Sequence, residues 1–176
     1  MSGILVAGIG NLFLGDDAFG VEVVQRMRAR PQRNGVRVED FGIRGIDLTY
    51  ALLDGVELAI LVDATQRGGA PGSLYLIEPS TEQAPGRDDD GEAEALFSPH
   101  GMEPDKVLRS VSMLGGNCER ILVVGCEPES FGTEAEDEGR IGLSEPVAAS
   151  IEPAIAMIES LLDEAAARHT GRPAMS

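Results

Sequence analysis

The run Ile4-Leu5-Val6-Ala7-Gly8-Ile9-Gly10-Asn11-Leu12-Phe13-Leu14-Gly15-Asp16-Asp17-Ala18-Phe19-Gly20 passes from an apolar segment, through glycines, to a pair of acids. Its first four residues, ending in Gly8, read as a short strand buried on both faces, as in a parallel sheet. From Ala18 to about Arg30, Val21, Val24 and Met27 stand at helical spacing, and Pro31 stops the run. A strand, a glycine-rich turn and a helix in that order open an alternating α/β chain.

The rest of the chain continues the alternation. Val36–Phe41 reads as a strand, Asp47–Leu53 as a short helix closed by Asp54-Gly55, and Leu58–Val62 as a strand that delivers Asp63 at its end. Ser73–Ile77 reads as a strand, Asp105–Leu114 as a helix ended by Gly115-Gly116, and Arg120–Val124 as a β-branched strand. Glu145–Arg168 reads as one long helix with Ala148, Ile151, Ile155, Ile158 and Leu162 as its apolar stripe. This order predicts an α/β sandwich around a mostly parallel sheet. With 176 residues the chain fits one domain. Residues 1–167 are expected to form it, with an acidic loop insertion at 80–95 and a disordered tail at 168–176.

Charge narrows the function. Against 14 Lys+Arg stand 30 Asp+Glu, a net charge of −16, which opposes nucleic acid and anionic membrane surfaces. Lys106 is the only lysine, so lysine catalysis has little to draw on. No apolar run is long enough to span a bilayer, and Met1–Gly8 has no basic segment ahead of its apolar residues. A reducing cytoplasm is the expected compartment. Cys118 and Cys126, at strand edges, read as inert packing thiols. Asp88-Asp89-Asp90-Gly91 fails as a calcium loop, because Gly86 and Phe97 would fall at its first and last ligand positions.

In open α/β sheets, ligands bind beyond the carboxyl ends of the strands. Loops Gly8–Gly20, Asp63–Gly69 and Gly125–Pro128 leave such ends. A dinucleotide fingerprint starting at Gly8 and Gly10 would need a third glycine where Phe13 stands, and Asp16 and Asp17 would repel a pyrophosphate. Asp16 and Asp17 also suit a helix N-cap, and Asp63 a turn cap. His100, in Ser98-Pro99-His100-Gly101-Met102, is the only histidine expected inside the folded region, since His169 falls in the expected tail. Two strand-end carboxylates converging with one imidazole would suit a borderline divalent metal such as nickel or zinc, although spacing alone does not bring them together. Glu127 reads as a polar residue at a strand end before proline. No Gly-x-Ser-x-Gly elbow is present.

The chain resembles the hydrogenase maturation proteases. The resemblance rests on Gly8-Ile9-Gly10-Asn11 with Asp16-Asp17-Ala18-Phe19-Gly20, on Asp40-Phe41-Gly42 with Gly45, and on Leu61-Val62-Asp63-Ala64. It continues through His100-Gly101, then Gly125-Cys126-Glu127-Pro128 with Gly142-Leu143-Ser144. Ala18, where many members carry glycine, and the insertion between Ser80 and Glu94 depart from the pattern. The resemblance implies a three-layer sandwich, its twisted sheet flanked by helices on both faces. It also implies an endopeptidase, often classed as aspartic-type, that removes the C-terminal extension of a nickel–iron hydrogenase large-subunit precursor after nickel insertion. Asp17, Asp63 and His100 are the implied metal-contacting and catalytic positions, the nickel being supplied by the client's active site. A monomer is expected, the client being transient. A non-catalytic nickel-sensing chaperone for the same precursor is the alternative.

Overall fold

Five strands form one sheet in the order β2-β1-β3-β5-β4. They are β1 (Gly3–Ile9), β2 (Val36–Gly42), β3 (Val56–Ala64), β4 (Leu74–Ile77) and β5 (Arg120–Cys126). The helices are α1 (Phe19–Arg28), α2 (Gly45–Leu53), α3 (Glu145–Ala148) and α4 (Ile151–Thr170), with a 3₁₀ turn at Gly15–Ala18 ahead of α1. The structure, a computed structural model, describes residues 3–79, 107, 111, 113–116, 118–131 and 141–170. The expected acidic insertion at 80–95 and His100 lie outside the described residues.

β1, β2, β3 and β5 run parallel, and β4 alone pairs antiparallel, on the edge beside β5. Alternation along the strands divides the core in two. Val6, Leu58, Ile60, Val62, Leu122 and Val124 face α1 and α4. Leu5, Ala7, Ile9, Ala59, Leu61 and Val123 face α2 and the helical residues Val107 and Val111. Helices therefore cover both faces, as an all-parallel interior requires. Of the expected Asp105–Leu114 helix, Val107, Val111 and Met113 are described and helical. It ends as expected, with Gly115 at φ +77° and the Gly116 amide donating to the Val111 carbonyl.

Two boundary expectations change. The long carboxy-terminal helix is broken at Ala149 and Ser150 into α3 and α4. Pro153 is the cause: it has no N–H for the Ala149 carbonyl, and its ring crowds that position. At the other end α4 continues to Thr170, into the segment expected as a tail, and His169 is helical. Its Nε2 lies 3.1 Å from Glu57 Oε2 at the start of β3, so His169 has a fixed neighbour instead of a frayed setting.

The β1–α1 connection depends on close approach. A Cβ on Gly20 would sit 1.9 Å from the Val62 carbonyl oxygen and 2.4 Å from that of Ile9. Gly20, and not the residue at Phe13, is therefore the glycine that lets the helix lie against the strands. Gly20→Ala should cost more than about 3 kcal/mol, because the clash is with backbone on two strands and neither can yield. Urea unfolding measures it, and a loss below about 1 kcal/mol would show that α1 tolerates a wider spacing.

Candidate active site

The chain leaves β1 to one side to form β2, then crosses back to place β3 on the other side of β1. At such a switch point the loops after β1 and β3 part in opposite directions and leave a crevice between them. Asp17, in the 3₁₀ turn after β1, and Asp63, at the end of β3, both belong to this crevice.

The two neighbouring acids have different tasks. Asp16 is 1% exposed and is filled with hydrogen bonds. Its Oδ2 accepts from the amides of Glu129 (2.8 Å) and Ser130 (3.1 Å) and from Ser144 Oγ (2.8 Å), while Oδ1 accepts from the Ser144 amide (2.7 Å). Its own amide donates to the Ser130 carbonyl at 3.1 Å. The carboxylate thus joins the loop after β1 to the loop after β5 and to the start of α3. Asp17 is half-buried and accepts the Asn11 amide at 3.0 Å. Neither side chain caps α1, whose N-cap position is Ala18 without a side-chain bond, so the capping expectation is not met.

Burial disfavours the charge of both Asp17 and Asp63. Burial pushes the Asp17 carboxyl up, partly offset by the Asn11 amide. Asp63 is raised well above its ordinary range, first by burial and then by the charge of Asp17, against the pull of the Ala64 amide. Gly10 helps bring them together: at φ +141°, a Cβ there would meet the Asp17 carbonyl oxygen at 1.8 Å, so only glycine lets the turn fold back this tightly. Among the described residues no three His, Cys, Asp or Glu stand where they could hold a metal ion. The structure brings together two members of the expected trio, and His100 is outside the described residues.

Glu127 has a role beyond that of a strand-end polar residue. It is 5% exposed and accepts from the amides of Arg67 (2.8 Å) and Gly68 (3.2 Å) and from the Tyr75 hydroxyl (2.9 Å). Burial raises its carboxyl, but the loop amides and the Tyr75 hydroxyl outweigh it and hold it below the ordinary value. This bond set shapes the loop that follows Asp63. Only its position before Pro128 hinted at it in the sequence. The thiols match expectation: Cys126 is fully buried and pushed up to about 11, first by burial, and Cys118 is half-buried and also raised. Neither is an activated nucleophile.

The sequence profile of the hydrogenase maturation proteases matches residues 21–161, a span that takes in Asp63 and His100. The chain belongs to the hydrogenase maturation protease family. It is a peptidase. It is 30% identical over 177 aligned positions to the hydrogenase 2 maturation protease of Escherichia coli, covering 98% of both chains. It is 34% identical to the hydrogenase expression/formation protein HupM of Azotobacter chroococcum, over 92% of this chain and 72% of that one. Among solved structures, the hydrogenase maturating endopeptidase HybD from E. coli superposes with a TM-score of 0.72 at 29% identity over 93% of each chain. A hydrogenase 2 maturation peptidase from a Thaumarchaeota archaeon gives 0.67 at 27% identity, over 92% of this chain and 99% of that one. The three-layer sandwich expected of the family is the fold observed.

Two predictions follow from the acids of this maturation protease. Asp16→Asn places an amide N–H₂ among N–H and O–H donors in a sealed pocket, so it should cost about 3 kcal/mol or more by urea unfolding. Ser144→Ala, which removes one donor of four, should cost about 1 kcal/mol. Equal losses would mean that the cluster does not act as a unit. The second prediction concerns Asp63. Folding raises its carboxyl, so the folded chain binds more protons than the unfolded one between the ordinary and the raised pKa. Stability therefore falls as pH climbs through that interval, and the full cost is present above it. Asp63→Asn removes the cost. Its melting temperature should match or exceed that of the parent near pH 7.5, and the gap should close towards pH ~4. A lower melting temperature near pH 7.5 would show that ionised Asp63 stabilises the fold.

Proposed function

We propose that this protease removes the C-terminal extension of a nickel–iron hydrogenase large-subunit precursor once nickel is in place, reading the client's nickel through Asp17, Asp63 and His100. The observation that carries the reading is the pair of half-buried carboxylates at the switch point, each disfavoured as an anion by burial and Asp63 further by its neighbour. A cation arriving between them relieves that cost. A client nickel already held by thiolates can accept two carboxylates and an imidazole to complete its coordination. Docking of this kind fixes the scissile bond and turns recognition into proximity. Polarisation of the peptide carbonyl by the metal, or activation of water by a carboxylate in the aspartic-type manner, would then complete hydrolysis.

The surface near the crevice suits a protein client. Leu12 and Phe13, in the turn after β1, are 40% and 70% exposed, and Ile43, beyond the end of β2, is 58% exposed. The Gly10 amide donates to the Gly42 carbonyl at 3.0 Å, which holds these two loops side by side. No helix among the described residues is long and apolar enough to cross a membrane. Action as a monomer in the cytoplasm completes the proposal.

Nickel-loaded and nickel-free precursor, incubated with the protein and read by mass spectrometry at the C-terminus, test the reading. Cleavage of the loaded form alone is expected. Asp17→Asn and His100→Ala should each lower processing at least a hundredfold while leaving the melting temperature within about 3 °C. An asparagine at position 17 still accepts the Asn11 amide, so a purely structural Asp17 would leave processing near normal. Nickel-dependent binding of the precursor without a cleaved product would favour the chaperone alternative.

A further inference from the structure

The row of sheet partners through Asp63 reaches a cation. Asp63 on β3 lies opposite Gly125 on β5, and Gly125 lies opposite Tyr75 on β4. Residues directly opposite one another share a face, so the Asp63 and Tyr75 side chains leave the sheet on the same side. Alternation agrees, since Leu61 and Ile77, two residues away on their strands, both pack in the core cluster on the α2 side. Gly125 has no side chain of its own, and the Thr65 side chain lies over it, 2.6 Å from where a Cβ would stand. Two strand spacings of ~4.8 Å separate Asp63 from Tyr75 by about 10 Å, the length of three extended residues.

Over the Tyr75 ring lies Arg67, with its guanidinium carbon 5.7 Å from the ring centre. Arg26, Arg30, Arg33, Arg37, Arg44 and Arg120 each lie within 4.0 Å of a carboxylate. Arg67 makes no such pair among the described residues, and it is exposed. Its backbone is fixed, because the amides of Arg67 and Gly68 both donate to buried Glu127. The Tyr75 hydroxyl donates to the same carboxylate at 2.9 Å, which holds the ring under the guanidinium. In a chain of net charge −16, this is a pre-positioned cation at the site's end of the sheet that makes no ion pair among the described residues. A guanidinium placed over a ring keeps N–H groups free for a carboxylate, the group that fits it two-for-two.

We propose that Arg67 is a specificity-determining residue that receives a carboxylate of the client peptide about three residues from the cleaved bond. This rests on the processing activity proposed above. A carboxylate at that distance would otherwise meet a strongly acidic surface, so Arg67 selects where along the client an anionic group is accepted. The carboxylate comes from an Asp or Glu side chain or from the client's own C-terminus.

Steady-state processing of nickel-loaded precursor at low salt, with wild-type, Arg67→Gln and Arg67→Glu proteins, decides the matter. Arg67→Gln should raise KM about tenfold and Arg67→Glu further, with kcat within about twofold, because only a docking contact is lost. Melting temperatures should stay within about 2 °C, since the side chain is exposed. Rising salt should narrow the KM gap. Changing one acidic client residue within four positions of the cut to Lys should restore the KM of Arg67→Glu if the carboxylate is a side chain. Lengthening the client by several residues should instead abolish the wild-type advantage if it is the C-terminus. Wild-type protein that leaves nickel-loaded precursor uncut would sink the processing activity itself. If the wild type cuts, then an unchanged KM for Arg67→Glu overturns the Arg67 assignment. A fall in kcat at constant KM also overturns it, since that would place Arg67 in the chemistry or in holding the loop.

Discussion

A carboxylate at 1% exposure is tolerated only if its lone pairs are filled, and Asp16 fills its own from two distant parts of the chain. The donors come from Glu129 and Ser130 after β5 and from Ser144 at the start of α3. It ties three elements at this end of the sheet to one another. The loop after β1 is held over the sheet, α3 is started, and the segment leaving β5 is turned. Ser144 occupies the N-cap position of α3, yet its hydroxyl donates to Asp16 instead of capping its own helix. Local helix capping yields to a long-range bond. The exchange is favourable because an ionised acceptor makes stronger hydrogen bonds than a neutral one.

Fixing Asp16 fixes Asp17, the next residue, and here the opposite situation holds. Asp17 has the Asn11 amide to set against its burial, and Asp63 the Ala64 amide. Two acids one residue apart thus differ in purpose through their donors. Asp16 is saturated and holds the fold; Asp17 is under-supplied and held where burial disfavours its charge. A fold tolerates such a cost at a site where an incoming group removes it. Glu127 repeats the first arrangement behind β3. Its bonds from the Arg67 and Gly68 amides and the Tyr75 hydroxyl shape the loop after Asp63 just as those of Asp16 shape the loop that bears Asp17.

What the sequence showed followed from local rules. Apolar runs at Ile4–Ala7, Leu58–Val62 and Arg120–Val124 read as strands, and each lies within one. Asp63 was legible because a strand end in a parallel sheet has a known location. The task of Asp16 was hidden, since its donors lie more than a hundred residues away and no periodicity connects them. Glu127 was hidden for the same reason, its partners being the amides of a loop 59 and 60 residues back. The break between α3 and α4 was missed because the apolar stripe runs straight through it, and Pro153 was the local signal that could have found it. The stay of His169 beside Glu57 joins a helix end to a strand start, and only the fold sets that distance.

The crevice also carries acidic side chains on a backbone arrangement that elsewhere receives anions. A glycine-rich turn leading from β1 to the start of a helix is a place where backbone N–H groups and the helix dipole attract anions. Here the turn carries Asp16 and Asp17 at that position, inside a 3₁₀ segment set just ahead of α1. Asp17 brings a carboxyl group to the crevice and Asp63 brings another from β3, while Asp16 is taken up by the loop after β5 and the start of α3. Gly8 and Gly20 keep the tight strand-to-helix packing that nucleotide sites also use, with a Gly8 Cβ meeting the Gly20 carbonyl oxygen at 2.5 Å. The backbone is thus close to that of an anion site while the side chains reverse its sign.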